Sequence, residues 1–397
     1  MTPPRVYTII ALPHFIFRME ATVRSAPKRI PFLDDIRGIA IIAVFLFHCV
    51  KRALGHNLTP ATFGGVAMFF VLSGFCIHLA CRGGKGKSWR EFYRGRFFRL
   101  YPAYVAALFV FAFIFPTTRL HFEWGAVKQL ASHLLLIHNL HPASFFSINA
   151  ALWSIAVEAQ FYLLYPLLLA LAARLGWSNV LWLLAAVALA LRVSAGFEVA
   201  AGHYRASLLD GLPFYHWFSW ALGAAAADAY LNTRKMPLAN FPAAMWLVAA
   251  VATSIIRPLA PLAFLFYSVF TAAAIARLLA AGRAEIPALP GFLSRHLKFI
   301  AARSYSFYLI HLPLVMAVPR ALDALGFDAI PPPTLLALML ALYPPILGLA
   351  ALFRKYVELP SAAWGKSSSR REGIAADQST GIFLRSKSGG ETAGLES

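Results

Sequence analysis

The 397 residues are 59% hydrophobic and only 13% charged, about half the charged share of an ordinary soluble domain. A mean hydropathy of +0.65 excludes a soluble fold, which cannot bury that much apolar surface. The net charge of +19 comes from basic residues clustered between apolar runs, not from one patch, so it reads as a topology signal and an anionic-lipid contact and argues against nucleic acid.

Residues 1–32 read as a cytoplasmic N-terminal segment. Their apolar run from Tyr7 to Phe17 is broken by Pro13 and His14, is too short to span, and has no small-residue cleavage site, so it is not a signal peptide. The start is expected at Met1 or at Met19. The membrane domain is expected over 33–360. Its apolar runs predict ten spans, at roughly 37–53, 60–81, 98–116, 150–173, 178–194, 211–230, 238–256, 258–280, 299–319 and 333–355. Residues 361–397, rich in Ser, Gly and charge, read as a disordered cytoplasmic tail.

The first span, FLDDIRGIAIIAVFLFHCV, carries Arg37 and His48. At 100° per residue they lie within about 20° of each other on one helix face, roughly 16 Å apart along it, and are expected to face one cavity. Ionisable groups inside a membrane are costly, which points to function. A plainer reading lets Arg37 snorkel to the interface and His48 bond a neighbouring helix. In the second span, MFFVLSGFCIHL, Ser73 and Gly74 interrupt a bulky run, as close helix packing requires. A basic segment follows, WREFYRGRFFRLYP, in which Arg90, Arg94, Arg96 and Arg99 alternate with aromatic residues. Guanidinium groups bind phosphates in bidentate fashion, and the rings suit an adenine or a pantetheine arm. Positive-inside anchoring explains arginines in general but not this interleaving.

Residues 129–140, with His133 and His138, are apolar but short, and read as an interfacial or re-entrant helix on the external side. In the fourth span, LWSIAVEAQFYLLYP, Ser154 and Glu158 are four apart and share a face. A carboxylate there must be paired, protonated or wetted, and Arg37 or His48 is the partner on offer. A structural ion pair and a catalytic role both fit. The ninth span, RSYSFYLIHLPL, places Ser304, Tyr308 and His311 on one polar face that is expected to line a cavity. The tenth ends in RKYVELP, where Glu358 reads as a boundary marker.

With the N-terminus in the cytoplasm, 27 Lys and Arg fall on the cytoplasmic side and eight on the other, Arg37 being left aside as part of the first helix. That bias predicts an all-α integral membrane protein of about ten transmembrane helices with both termini cytoplasmic, in the inner (plasma) membrane. Cys49, Cys76 and Cys81 have no metal-site spacing and imply no disulfide framework. There is no P-loop, no His-Glu-x-x-His and no Gly-x-Ser-x-Gly motif, and no metal is expected.

In this order, the segments FLDDIRGIA, FFVLSGF, RFFRLYP, LWSIAVEAQFYLLYP and SYSFYLIHLPL resemble the acyltransferase 3 family of membrane acyltransferases, which includes O-antigen, exopolysaccharide and nodulation-factor acetyltransferases. The resemblance implies ten core helices, a cytoplasmic acyl-CoA donor (acetyl-CoA first among them), and transfer to a hydroxyl of a carbohydrate or lipid-linked glycan on the far side. The family's arginine–histidine pair maps onto Arg37 and His48, and its Arg-x-x-Arg motif onto Arg96 and Arg99. The chain departs from the family at Asp35, where glycine is usual, and at Ala159, where a second glutamate is usual. On this reading the donor phosphates sit on Arg96, Arg99 and Arg94. His48 is the general base, Arg37 orients the donor or stabilises developing charge, and Glu158 or Tyr308 fixes the histidine tautomer. Ser73, Ser154, Tyr308 and His311 line the substrate path. Direct transfer and a transient acyl-histidine are both compatible. A transporter or flippase is the main rival, but repeated halves are not evident; a non-catalytic partner in polysaccharide assembly is the second.

Overall fold

The computed structural model describes residues 8–12, 15–19, 29–55, 64–83, 88–118, 120, 123–202, 208–235, 238–287, 289–327 and 329–365. Of the tail expected over 361–397, residues 361–365 continue the last helix, and the remainder, with much of the N-terminal segment, lies outside the described residues. Within that segment β1 (Thr8–Leu12) pairs antiparallel with β2 (Phe15–Met19).

Helix α1 (Pro31–Leu54) starts on Pro31, carries Asp34 in its first turn and ends on Lys51 and Arg52, all matched to the helix dipole. Helix α2 is Gly65–Arg82 and α3 is Trp89–Phe109. A capping box opens α3: the Ser88 Oγ accepts from the Glu91 N–H at 3.2 Å, and the Glu91 carboxylate accepts from the Ser88 N–H at 2.9 Å. A π-helical turn, Val110–Ile114, closes it. The connection to the next long helix holds α4 (Trp124–Leu134), a 3₁₀ turn His138–Leu140 and the single turn α5 (Pro142–Phe145). It is tied back to α3, because the Tyr101 and Tyr104 hydroxyls donate to the Leu134 and His133 carbonyls at 2.9 Å.

Helix α6 (Trp153–Ala200) has 48 residues, about 72 Å of rise against a hydrocarbon core of about 30 Å. Gly176, at φ 77°, breaks it into two helices where a side chain would be strained. Then come α7 (Leu208–Gly211), α8 (Pro213–Leu231), α9 (Ala243–Ile255), α10 (Ala260–Ala280) and α11 (Gly291–Ala301). The last are α12 (Ser304–Ala324), α13 (Pro332–Ala341) and α14 (Tyr343–Phe353), with a second π turn, Arg354–Glu358, continuing the helix to Gly365.

Six helical stretches among the described residues are long and apolar enough to cross a membrane: Gly65–Arg82, Trp89–Ile114, Trp153–Ala200, Arg257–Ala280, Ser304–Ala324 and Pro332–Gly365. Their outward residues are large and apolar, with Leu163, Trp182 and Phe197 each about 70% exposed, while Asp35, His78, Ser306 and His311 are buried. That inversion suits a hydrocarbon solvent. The small residues read from the second span do bring backbones together. A β-carbon on Gly74 would stand 1.9 Å from the Trp220 carbonyl oxygen, and one on Gly223 would stand 2.0 Å from that of Val71, so α2 and α8 touch main chain to main chain.

Candidate active site

At the end of the bundle shared by the starts of α1, α3 and α12 lies a cavity of about 350 Å³. Arg37, Ser73, Arg96 and Arg99 line it from α1, α2 and α3; Ser154, Glu158 and Tyr162 from α6; Tyr305 and Tyr308 from α12; and Arg354 from the second π turn. Seven of the ten residues singled out from the sequence meet here. Arg94, His48 and His311 are not among the lining residues.

Glu158 is satisfied by hydroxyls. Its Oε1 accepts from Ser73 Oγ and from Tyr162 OH, each at 2.7 Å, and Ser73 in turn accepts from Trp220 Nε1 at 3.2 Å. Neither Arg37 nor His48 supplies the pairing that the sequence suggested. The Arg37 Nη1 instead donates to Asp34 Oδ1 at 3.0 Å, a carboxylate also held by Arg29, and its Nη2 approaches Cys76 Sγ at 3.6 Å. Two hydroxyl donors thus satisfy the Glu158 oxygen without adding charge beside the arginines.

A line of polar groups leads away from the cavity. Ser154 Oγ and Tyr308 OH share a hydrogen bond of 2.6 Å. The Tyr308 carbonyl accepts from His311 Nδ1 at 2.8 Å, and because a carbonyl only accepts, the proton of a neutral His311 is on Nδ1. Its buried Nε2, the lone-pair nitrogen, has no hydrogen-bond partner among the described residues. His48 follows, with its ring centroid 5.3 Å from that of His311. So Arg37 and His48 share a helix face but not a cavity, and Tyr308 and His311 bridge the gap.

The arginine end corrects a second reading. Glu358 is no exposed interface charge: it is 1% exposed, accepts from Ser306 Oγ at 2.6 Å and pairs with Arg99 Nη1 at 3.2 Å. Sequence reasoning also passed over Tyr162, Tyr305 and Arg354, all of which line the cavity. Tyrosines next to an intramembrane carboxylate were the available signal for the first. Among the described residues no group of three or more His, Cys, Asp or Glu is placed to hold a metal ion.

Comparison with known proteins adds lineage. A family model described as an acyltransferase domain matches residues 30–352. The chain is 31% identical over 162 residues to the peptidoglycan O-acetyltransferase OatA of Listeria monocytogenes, covering 37% of this chain and 25% of that protein. To the acyltransferase MdmB of Streptomyces mycarofaciens it is 27% identical over 209 residues, 48% of this chain and 52% of that one. To the O-acetyltransferase OatA of Staphylococcus aureus it is 29% identical over 157 residues, 36% and 25% respectively. The matches thus span between a quarter and about half the length of these relatives. No solved structure matches.

Proposed function

Because this chain belongs to the acyltransferase domain family, whose model covers residues 30–352, we propose that it is a membrane O-acyltransferase. It moves an acyl group, acetyl in the first instance, from cytoplasmic acyl-CoA to a hydroxyl of a surface carbohydrate or lipid-linked glycan. One observation carries this reading: an arginine-lined cavity from whose wall a line of polar contacts runs through Ser154, Tyr308 and His311 to His48. The names of the relatives, two of them O-acetyltransferases and one acting on peptidoglycan, support a glycan acceptor.

The topology proposed has ten spans, α1, α2, α3, the two halves of α6, α8, α9, α10, α12 and α13 with α14, in the inner membrane. The arginine end then faces the cytoplasm, where acyl-CoA is. Donor phosphates sit at Arg96 and Arg99, with Arg94 nearby, and the thioester arm runs past Glu158 and Tyr308. A cavity of about 350 Å³ is at the small end of ligand sites, roughly 300–1,000 Å³, so it takes part of a CoA-sized donor and leaves the nucleotide at its mouth. A long flexible arm suits the roughly 16 Å of helix between Arg37 and His48.

At the far end His48 accepts the proton of the acceptor hydroxyl as its oxygen attacks the thioester carbonyl. The C–S bond breaks, the ester forms, and the CoA thiolate takes up a proton. Arg37 orients the donor on its way in. The alternative in which His48 itself carries the acyl group uses the same placement.

The test is thioester cleavage by the purified full chain given acetyl-CoA and a glycan hydroxyl acceptor, alongside the mass of surface glycans in cells with and without the gene. Acceptor-dependent CoA release and an acetyl-sized mass difference are expected. Passage of an intact substrate without thioester cleavage would replace this reading with that of a transporter.

A further inference from the structure

Arg354 reads in the sequence as one more basic residue on the cytoplasmic side. The structure sets it apart from its neighbour Lys355, which is exposed and lies 5.0 Å over the Tyr356 ring. Arg354 begins the π-helical turn Arg354–Glu358. Such turns are rare and re-aim the side chains that follow them, and they collect at functional sites. Here the turn does two things. It buries the Glu358 carboxylate against Ser306 and Arg99, and it aims Arg354 into the cavity wall.

An arginine that only anchors a helix end extends its guanidinium into water. Arg354 instead has its Nε buried with no hydrogen-bond partner among the described residues, and the same holds for Arg96. The two carboxylates described at this end have other partners, Glu358 in Arg99 and Ser306, Glu158 in Ser73 and Tyr162. The positive charge is also crowded: burial and then the neighbouring Arg354 disfavour the charged form of Arg303. Two guanidinium groups with spare donors, in one cavity and short of counter-charge, are disposed for an anion with several oxygens.

We propose that Arg354 and Arg96 together form the anion pocket that holds the phosphates of the donor, with Glu358 keeping Arg99 beside them as a positioning residue. This rests on the acyl-CoA reading and adds to it the residue from the far end of the chain that closes the site. No phosphate-free donor engages it, so coenzyme A and pantetheine should differ.

The experiment measures binding of coenzyme A and of pantetheine to the purified full chain in detergent. Arg354→Ala and Arg96→Ala should each weaken coenzyme A binding by roughly ten- to a hundredfold, the scale of lost charge-assisted hydrogen bonds. Arg354→Lys should recover part of it. Pantetheine affinity and thermal midpoint should not change, and Lys355→Ala, which removes the same charge from the exposed neighbour, should bind like the wild type. Wild-type affinity in Arg354→Ala while Arg96→Ala is weakened would overturn the inference and leave the donor reading standing. Equal losses in Arg354→Ala and Lys355→Ala, or loss of pantetheine binding and stability along with coenzyme A binding, would also overturn it. If the unaltered protein binds no coenzyme A at all, the donor reading itself fails.

Discussion

Replacing Gly74 by alanine tests the link between helix packing and the site. The new β-carbon would stand 1.9 Å from the Trp220 carbonyl oxygen, where ordinary contact begins near 3.4 Å. Both partners are main chain, so no side chain can turn aside and α2 must move from α8 by about 1.5 Å, an overpacking that costs about 1–3 kcal/mol. Ser73 moves with it. That residue accepts from Trp220 Nε1 and donates to Glu158, so the shift also strains a charge-assisted bond worth about 1.5–3 kcal/mol. Gly74→Ala should therefore lower both the thermal midpoint, followed by size-exclusion chromatography of heated protein, and turnover per folded molecule. Gly223→Ala, with its β-carbon 2.0 Å from the Val71 carbonyl, should repeat the effect. Gly95→Ala, which meets nothing within 4 Å, should not. A Gly74→Ala protein with wild-type midpoint and turnover would refute the main-chain contact and the path through Ser73.

Three other outcomes follow from the same geometry. His48→Ala should leave a folded protein that still binds coenzyme A but transfers acyl groups at least about a hundredfold more slowly; near-normal turnover would remove His48 as the base. Reporter fusions after residue 365 and within 325–331 should lie on opposite sides of the membrane, and the same side for both would break the ten-span topology. His133 and His138, stacked at 3.9 Å in the segment between α3 and α6, are both held neutral by burial, His138 being pushed down to about 2. The folded state binds protons less readily than the unfolded chain, so this stability is complete above about pH 6.5 and is lost as pH falls, by about 2 kcal/mol for His138 at pH 5. The thermal midpoint should drop between pH 7.5 and 5.0, and by less in His138→Phe; equal drops in both proteins would clear the histidine pair of that role.

Much of this was legible because membrane solvent leaves a coarse signature. Apolar runs mark α2, α3, α6, α10, α12 and α13 with α14, and the glycine and serine of the second span correctly signalled a close helix contact. Ser73, Ser154, Glu158, Tyr308, Arg37, Arg96 and Arg99 could be found as cavity-lining residues because polar groups stand out in an apolar helix. Their partners could not. The sequence offers Arg37 or His48 as the partner of Glu158, whereas the fold satisfies it with the hydroxyls of Ser73 and Tyr162. With 14 tyrosines in the chain, one more beside an acid is a weak signal until the helix contacts are known. Glu358 was misread for a related reason. Beside Arg354 and Lys355 it resembles interface charge, and only the π turn, which has no sequence signature, carries it inward to Arg99.

The case of Arg37 and His48 sets a limit on helix-face reasoning. Their separation of about 20° around the axis correctly puts them on one side of α1, but a shared azimuth says nothing about depth. Over roughly 16 Å of rise the neighbouring helices change, and what lies opposite the face changes with them. Near Arg37 the face meets Cys76 and the arginines of α3; near His48 it meets His311. One helix thus serves two compartments, and the hydroxyls of Ser154 and Tyr308 stand between them. On the proposed reading, in which the donor comes from one side of the membrane and the acceptor from the other, this division has a use, because anion-binding arginines and a general base perturb each other when placed together. Separating them along one helix would let each keep its own electrostatics while the long arm of the proposed donor joins the two.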